Sequence, residues 1–157
     1  MKPTLRWLAL AAFWLFSPAS PAAQLAIGDL VPVISAPDQH DQRFDSTNGW
    51  QFLLLATEMA CAKAASQKLA EQGGGFLEKH HAAYLLDIHT MPAIARYFAI
   101  PKMRKYPMRI ILVDSAQTLT VFPTRPGRVT VVTLSPDHRL RKISYWDPQS
   151  EPVAGCF

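Results

Sequence analysis

Beyond its first two dozen residues the chain has no apolar run approaching the roughly 20 residues needed to cross a bilayer, so no transmembrane segment is expected in the rest of it. It also lacks a long basic stripe. The formal charge of the 157 residues is +4, two of those charges sit at Lys2 and Arg6, and a nucleic-acid partner is not expected. The five histidines, His40, His80, His81, His89 and His138, show neither zinc-finger spacing nor an H-E-x-x-H string, and no metal site is expected. No G-x-S-x-G nucleophile elbow occurs, and Gly73-Gly74-Gly75 stands outside any phosphate-loop context and reads as a helix stop. No cofactor follows from these patterns. Cysteine is limited to Cys61 and Cys156.

What is present begins with a leader. Lys2 and Arg6 precede the apolar run Trp7 to Phe16, followed by Ser17, Pro18, Ala19, Ser20, Pro21, Ala22 and Ala23. A basic start, a short apolar core and a small-residue exit are the marks of a secretory signal peptide, with cleavage expected after Ala22 or Ala23. Residues 1–22 are therefore expected to be removed, and residues 23–157 to form a single domain in the periplasm or outside the cell. A chain of that length can bury about two-thirds of its unfolded surface, enough for a real core.

Three apolar segments organise that domain. Trp50 to Ala56, Ala82 to Ile88 and Ile110 to Val113 are nearly unbroken apolar runs of strand length, as expected for strands buried on both faces of a central parallel sheet. Between the first two, Thr57 to Gln72 is rich in Ala, Lys, Gln and Glu and predicts a helix capped by Thr57 and stopped at Gly73. A shorter helix is predicted before Pro101, with Thr90 as cap and Pro92 in its first turn. Pro37 to Gln42 reads as a turn between two short extended pieces, Leu119 to Arg128 as irregular, and Val129 to Leu134 with Leu140 to Tyr145 as a hairpin about Ser135-Pro136-Asp137-His138. Right-handed βαβ crossovers then give a mixed sheet with parallel central strands, a late antiparallel hairpin and helices on both faces.

The strings AIGDLVPVISAPDQHDQRF, FLLLATEMACAKAA, YPMRIILVD and RVTVVTLSPDHRLRKI, in this order, resemble the thioredoxin-like superfamily, and its redoxin and peroxiredoxin-like branch most closely. The resemblance covers most of residues 23–157 and implies an α/β three-layer sandwich in which Cys61 stands where the redox helix begins. It also exposes departures from the family pattern. A thioredoxin Cys-x-x-Cys is replaced by Cys61-Ala62-Lys63-Ala64. Counting back from Cys61, the threonine and proline positions of a peroxiredoxin loop hold Glu58 and Leu54, and Val129 stands near the place of the cis-proline of thioredoxins. The resemblance thus implies a degenerate active site.

Two groups of residues are candidates for function. At a helix start, dipole and free N–H groups favour a thiolate at Cys61, whereas Glu58 opposes it. Cys61 reads as a redox-active thiol with Cys156 as resolving partner, as one half of a structural disulfide, or as an inert buried residue. A Cys61–Cys156 bridge would close a loop of about 95 residues, worth about 4–5 kcal/mol in the chain-entropy model. The second group is Lys102, Arg104, Lys105 and Arg109, a cationic run before the third strand that suits a small anionic ligand, an acidic envelope partner or a lipid head group. Asp87 and His89 are expected near the start of the redox helix. Three functions compete: a catalytically degenerate binding or accessory protein of the envelope, a thiol-disulfide or peroxide redox protein using Cys61, and an anion or lipid-surface binder.

Overall fold

The computed structural model describes residues 24–157, so the expected leader and its cleavage point lie outside the described residues. A small antiparallel pair opens the fold, β1 (Ser35–Pro37) with β2 (Arg43–Asp45). The apolar runs then form β3 (Phe52–Ala56), β4 (Ala82–Asp87) and β5 (Ile110–Val113). They lie side by side in parallel, with Leu54 opposite Tyr84 and Leu86 opposite Leu112. β6 (Val129–Leu134) runs antiparallel against β3, and β7 (Leu140–Trp146) antiparallel against β6, giving the order β5-β4-β3-β6-β7. No helix among the described residues is long and apolar enough to cross a membrane.

The unbroken apolar character of the central strands has a direct cause: both faces are covered. Alternate side chains point to opposite layers. Leu54, Tyr84, Leu86, Ile110 and Val131 meet α1 (Met59–Glu71), α2 (Phe76–Lys79) and the buried end of α3 (Ala93–Met103). Leu53, Leu55, Leu85, Ile111 and Val132 meet Ile34, Phe44 and Leu119, the last from α4 (Ala116–Thr120). The layers are unequal, for the second face is covered largely by the opening hairpin and one five-residue helix. A 3₁₀ turn (Val153–Cys156) closes the chain against the first layer.

Several local expectations are corrected. Glu58, not Thr57, is the N-cap of α1, and it makes no side-chain capping bond. Pro92, not Thr90, occupies the cap of α3, and Pro101 lies inside that helix rather than ending it. Pro101 is tolerated because it falls in the last turn on an exposed surface, where water can satisfy the carbonyl it leaves free. The helix continues to Met103 because that side chain is its buried anchor. The segment read as irregular begins inside α4, too short a helix to show a period. In the glycine run, Gly73 takes a positive φ of +91° to end α1, and a Cβ on Gly74 would stand 2.7 Å from the Pro107 carbonyl oxygen. The run is therefore a helix stop and a close approach between the segments that follow α1 and α3.

Candidate functional site

The sheet changes direction at β3: β4 and β5 step to one side of it, β6 and β7 to the other. In open α/β sheets the carboxyl end of the strand at such a switch is where ligands bind. Here that end carries Thr57, Glu58 and the first turn of α1. The Glu58 backbone is extended, φ −112° and ψ 135°. Its carboxylate, instead of capping its own helix, accepts the Gly127 N–H at 2.9 Å from the loop before β6. Gly127 takes φ +69°, and every peptide bond among the described residues is trans.

Cys61 is the third residue of α1, but its side chain is turned inward and is 2 % exposed, among Ala56, Ala62 and Ala65. Burial, and then the nearby Glu58 and Asp147 carboxylates, push its thiol up to about 11. Helix-start donors that would favour a thiolate are outweighed by loss of solvent, and at neutral pH the sulfur is a protonated, weakly nucleophilic group. Cys156 is buried in the same layer beside Val153, and burial with Glu151 pushes its thiol up to about 12. Both thiols are free. The floor beneath α1 is fixed by Tyr84, whose buried hydroxyl donates to the Ala62 carbonyl at 3.0 Å and lies 3.3 Å from the Ser66 hydroxyl.

Beside Thr57 opens a cleft of about 480 Å³ lined by Thr57, Asp87, His89, Thr90, Thr120 and Thr124, among others. The expected nearness of Asp87 and His89 to the start of α1 is realised, with Asp87 accepting the His89 N–H at 2.8 Å. The threonines were not foreseen. They come from four separate loops and helices, and only the fold gathers them; no spacing in the chain announces it. Among the described residues no three His, Cys, Asp or Glu side chains converge as a metal site would require.

The cationic run is divided by the structure. Arg109 donates to the Asp38 carboxylate at 2.7 Å and to the Arg43 carbonyl at 2.9 Å. Arg104 donates to the Gln39 carbonyl at 2.6 Å and reaches Asp41 at 3.0 Å. Burial alone would raise the Asp38 carboxyl, but N–H groups of Gln42 and His40 and the Arg109 guanidinium outweigh it and hold it below the ordinary carboxylate value. Gln39, fully buried, bonds the Met108 carbonyl and the Ile110 N–H, so the turn after β1 closes the free edge of β5. The two arginines thus rivet that turn in place. Lys102 and Lys105 stay exposed, with no ion pair among the described residues.

Comparison with solved structures places this architecture. The exposed lipoprotein thioredoxin of Streptococcus pneumoniae is similar at a TM-score of 0.57 and 8% identity, over 76% of this chain and 94% of that one. A peroxiredoxin-like protein of Aquifex aeolicus is similar at 0.55 and 10% identity, over 86% and 85%. The thioredoxin domain of a thiol-disulfide oxidoreductase from Bacteroides vulgatus is similar at 0.53 and 11% identity, over 80% and 93%. No protein-family model matches the chain, and no curated protein matches it in sequence. At such identities the likeness is one of fold, and the fold is thioredoxin-like.

Proposed function

We propose that this chain is an exported thioredoxin-fold protein that has lost thiol catalysis and acts as a binding or accessory protein of the cell envelope. One observation carries the reading: Cys61, where the resemblance implies the reactive thiol, is turned into the core and its proton is held up to about 11. Redox proteins need an accessible sulfur with a substantial thiolate fraction. Here the helix start instead presents the Glu58 carboxylate, itself engaged by Gly127. The absence of a second cysteine in the Cys61-Ala62-Lys63-Ala64 string supports the same reading. Export rests on the leader-like residues 1–22, and sequencing the N-terminus of the cell-envelope form should find cleavage after Ala22 or Ala23.

The test is chemical. Native protein is expected to leave both cysteines unmodified by a thiol-alkylating reagent until denaturant is added, and to show no disulfide-exchange or peroxide-reducing turnover. Turnover that disappears in Cys61→Ser would overturn the proposal. A second reading, redox chemistry by Cys61 with Cys156 resolving, draws support from their placement in one apolar layer. It requires that opening of the C-terminal turn expose both, and it predicts a mass loss of ~2 Da on oxidation of the native protein by an added disulfide or peroxide, reversed by reductant (two thiol hydrogens, ~1 Da each, are lost).

A further inference from the structure

The eleven residues of α3 are mostly apolar, yet Met103 alone among them is buried. Ile94, Tyr97 and Phe98 are exposed by 68, 73 and 59 %. With exposed Pro101 they fall at i, i+3, i+4 and i+7, one continuous stripe along the helix. Such a stripe ordinarily faces a core; here it faces away from it. The helix is fastened at its C-terminal end by Met103, with Ala99 and Ile100 packed against the core, and along its middle by polar bonds. Arg96, the single charge in its middle, is directed back into the protein body, where it donates to Asp114 at 2.8 Å, to the Ile88 carbonyl at 2.7 Å and to the Met91 carbonyl at 2.8 Å. That arrangement neutralises the one charge in the middle of the helix.

The surroundings of the ridge have one sign. A groove of about 400 Å³ separates it from α1, with Met59, Ala62, Leu86 and Ala99 in its walls and Lys63 and Lys102 at its margin. A broader depression on the other flank carries Arg96, Lys102, Arg104 and Lys105. No Asp or Glu lines either. Lys63, Lys102 and Lys105 have no ion-pair partner among the described residues. An exposed apolar ridge with an aromatic pair, bordered by three unpaired lysines, complements a surface that is apolar within and anionic at its boundary.

We propose that α3 is an interfacial docking element that seats this protein on an anionic lipid bilayer, with Ile94, Tyr97 and Phe98 entering the head-group boundary and Lys63, Lys102 and Lys105 meeting lipid phosphates. Unpaired lysines stand on both flanks of the ridge, an arrangement that favours a bilayer over a peptide, which would fill the groove on the α1 side alone. Docking does not depend on whether Cys61 is reactive, so it stands or falls apart from the function proposed above.

The test is flotation of the exported, processed protein with vesicles of phosphatidylethanolamine and phosphatidylglycerol (7:3), against vesicles of phosphatidylcholine alone. The parent protein is expected to partition at least tenfold better into the anionic vesicles, and to lose that advantage in high salt. Ile94→Ser/Phe98→Ser and Lys102→Glu/Lys105→Glu should each lower partitioning at least tenfold while leaving circular dichroism and Tm unchanged, since all four side chains are exposed. Tyr97→Trp should add fluorescence that brominated acyl chains quench. Equal partitioning of the variants, or none by the parent protein, would overturn the proposal. So would a ridge that instead mediates self-association, seen as a doubled solution mass that Ile94→Ser/Phe98→Ser abolishes without any vesicle binding.

Discussion

α1 and α3 flank the same layer of the sheet and are of similar length, yet they dock in opposite ways. α1, with Lys63, Gln67, Lys68 and Glu71 along it, buries Cys61, Ala62, Ala65, Ser66 and Leu69. α3 is the more apolar of the two and buries Met103. The lesson is that apolar content does not decide how far a helix is buried. α1 is held by area removed from water, whereas α3 is held at one end by Met103, Ala99 and Ile100 and in its middle by Arg96 and the bonds around it, which leaves Ile94, Tyr97 and Phe98 available for another surface. The same contrast separates the two candidate sites: the cysteine implied by the resemblance is enclosed under α1, while the residues on α3 that no motif marks are open.

Truncation is the most forceful way to break this comparison. Leu69→Ala on α1 should cost about 3 kcal/mol in denaturant-induced unfolding, because it opens a cavity in a closed core. Phe98→Ala on α3 should stay within about 0.5 kcal/mol in the same measurement; an equal cost at both would show that α3 is held by apolar packing after all. Alkaline pH sharpens the account of the enclosed thiols. Cys61 and Cys156 titrate in the fold at about 11 and about 12, above the ordinary thiol value. The folded state therefore keeps protons that the unfolded chain gives up, and stability falls as pH rises from about 9 through those values, more for Cys156 than for Cys61. Cys61→Ala should flatten the first part of that fall in Tm measured against pH.

The contact between the two helix-following segments offers a smaller effect. Gly74→Ala would place a methyl group 2.7 Å from the Pro107 carbonyl. The backbone must shift, and a loss of about 1–2 kcal/mol is expected in urea unfolding. Smallest in global stability, but most local, is Arg96→Gln: amide hydrogen exchange should quicken across 93–103 while α1 keeps its protection. Uniform quickening of both helices would contradict the picture of α3 as separately fastened.

The central sheet was legible in the chain because strands buried on both faces cannot alternate; Phe52 to Ala56, Ala82 to Leu86 and Ile110 to Val113 are apolar for that reason. Helix boundaries were less so. Thr57 has the chemistry of a cap, but Glu58 holds the position, with its carboxylate bonded not to its own helix but to Gly127, 69 residues further along. The candidate site was half legible. Cys61 could be placed near a helix start, but whether its sulfur faced solvent or core depended on the rotation of α1 against β3. The cationic run showed as four like charges, with nothing in it to say that Arg104 and Arg109 would be spent on Asp41 and Asp38.

By itself, then, the sequence determined the layered sheet with its parallel central strands and the late hairpin, since these follow from periodicity and from residue types that are local properties of the chain. The tertiary structure alone decided the direction of side chains. Cys61 points inward, the threonines of one cleft are gathered from separate segments, and Ile94, Tyr97 and Phe98 are turned to solvent. Each of these depends on which helix face meets the sheet, a balance of long-range contacts that no short window of residues contains.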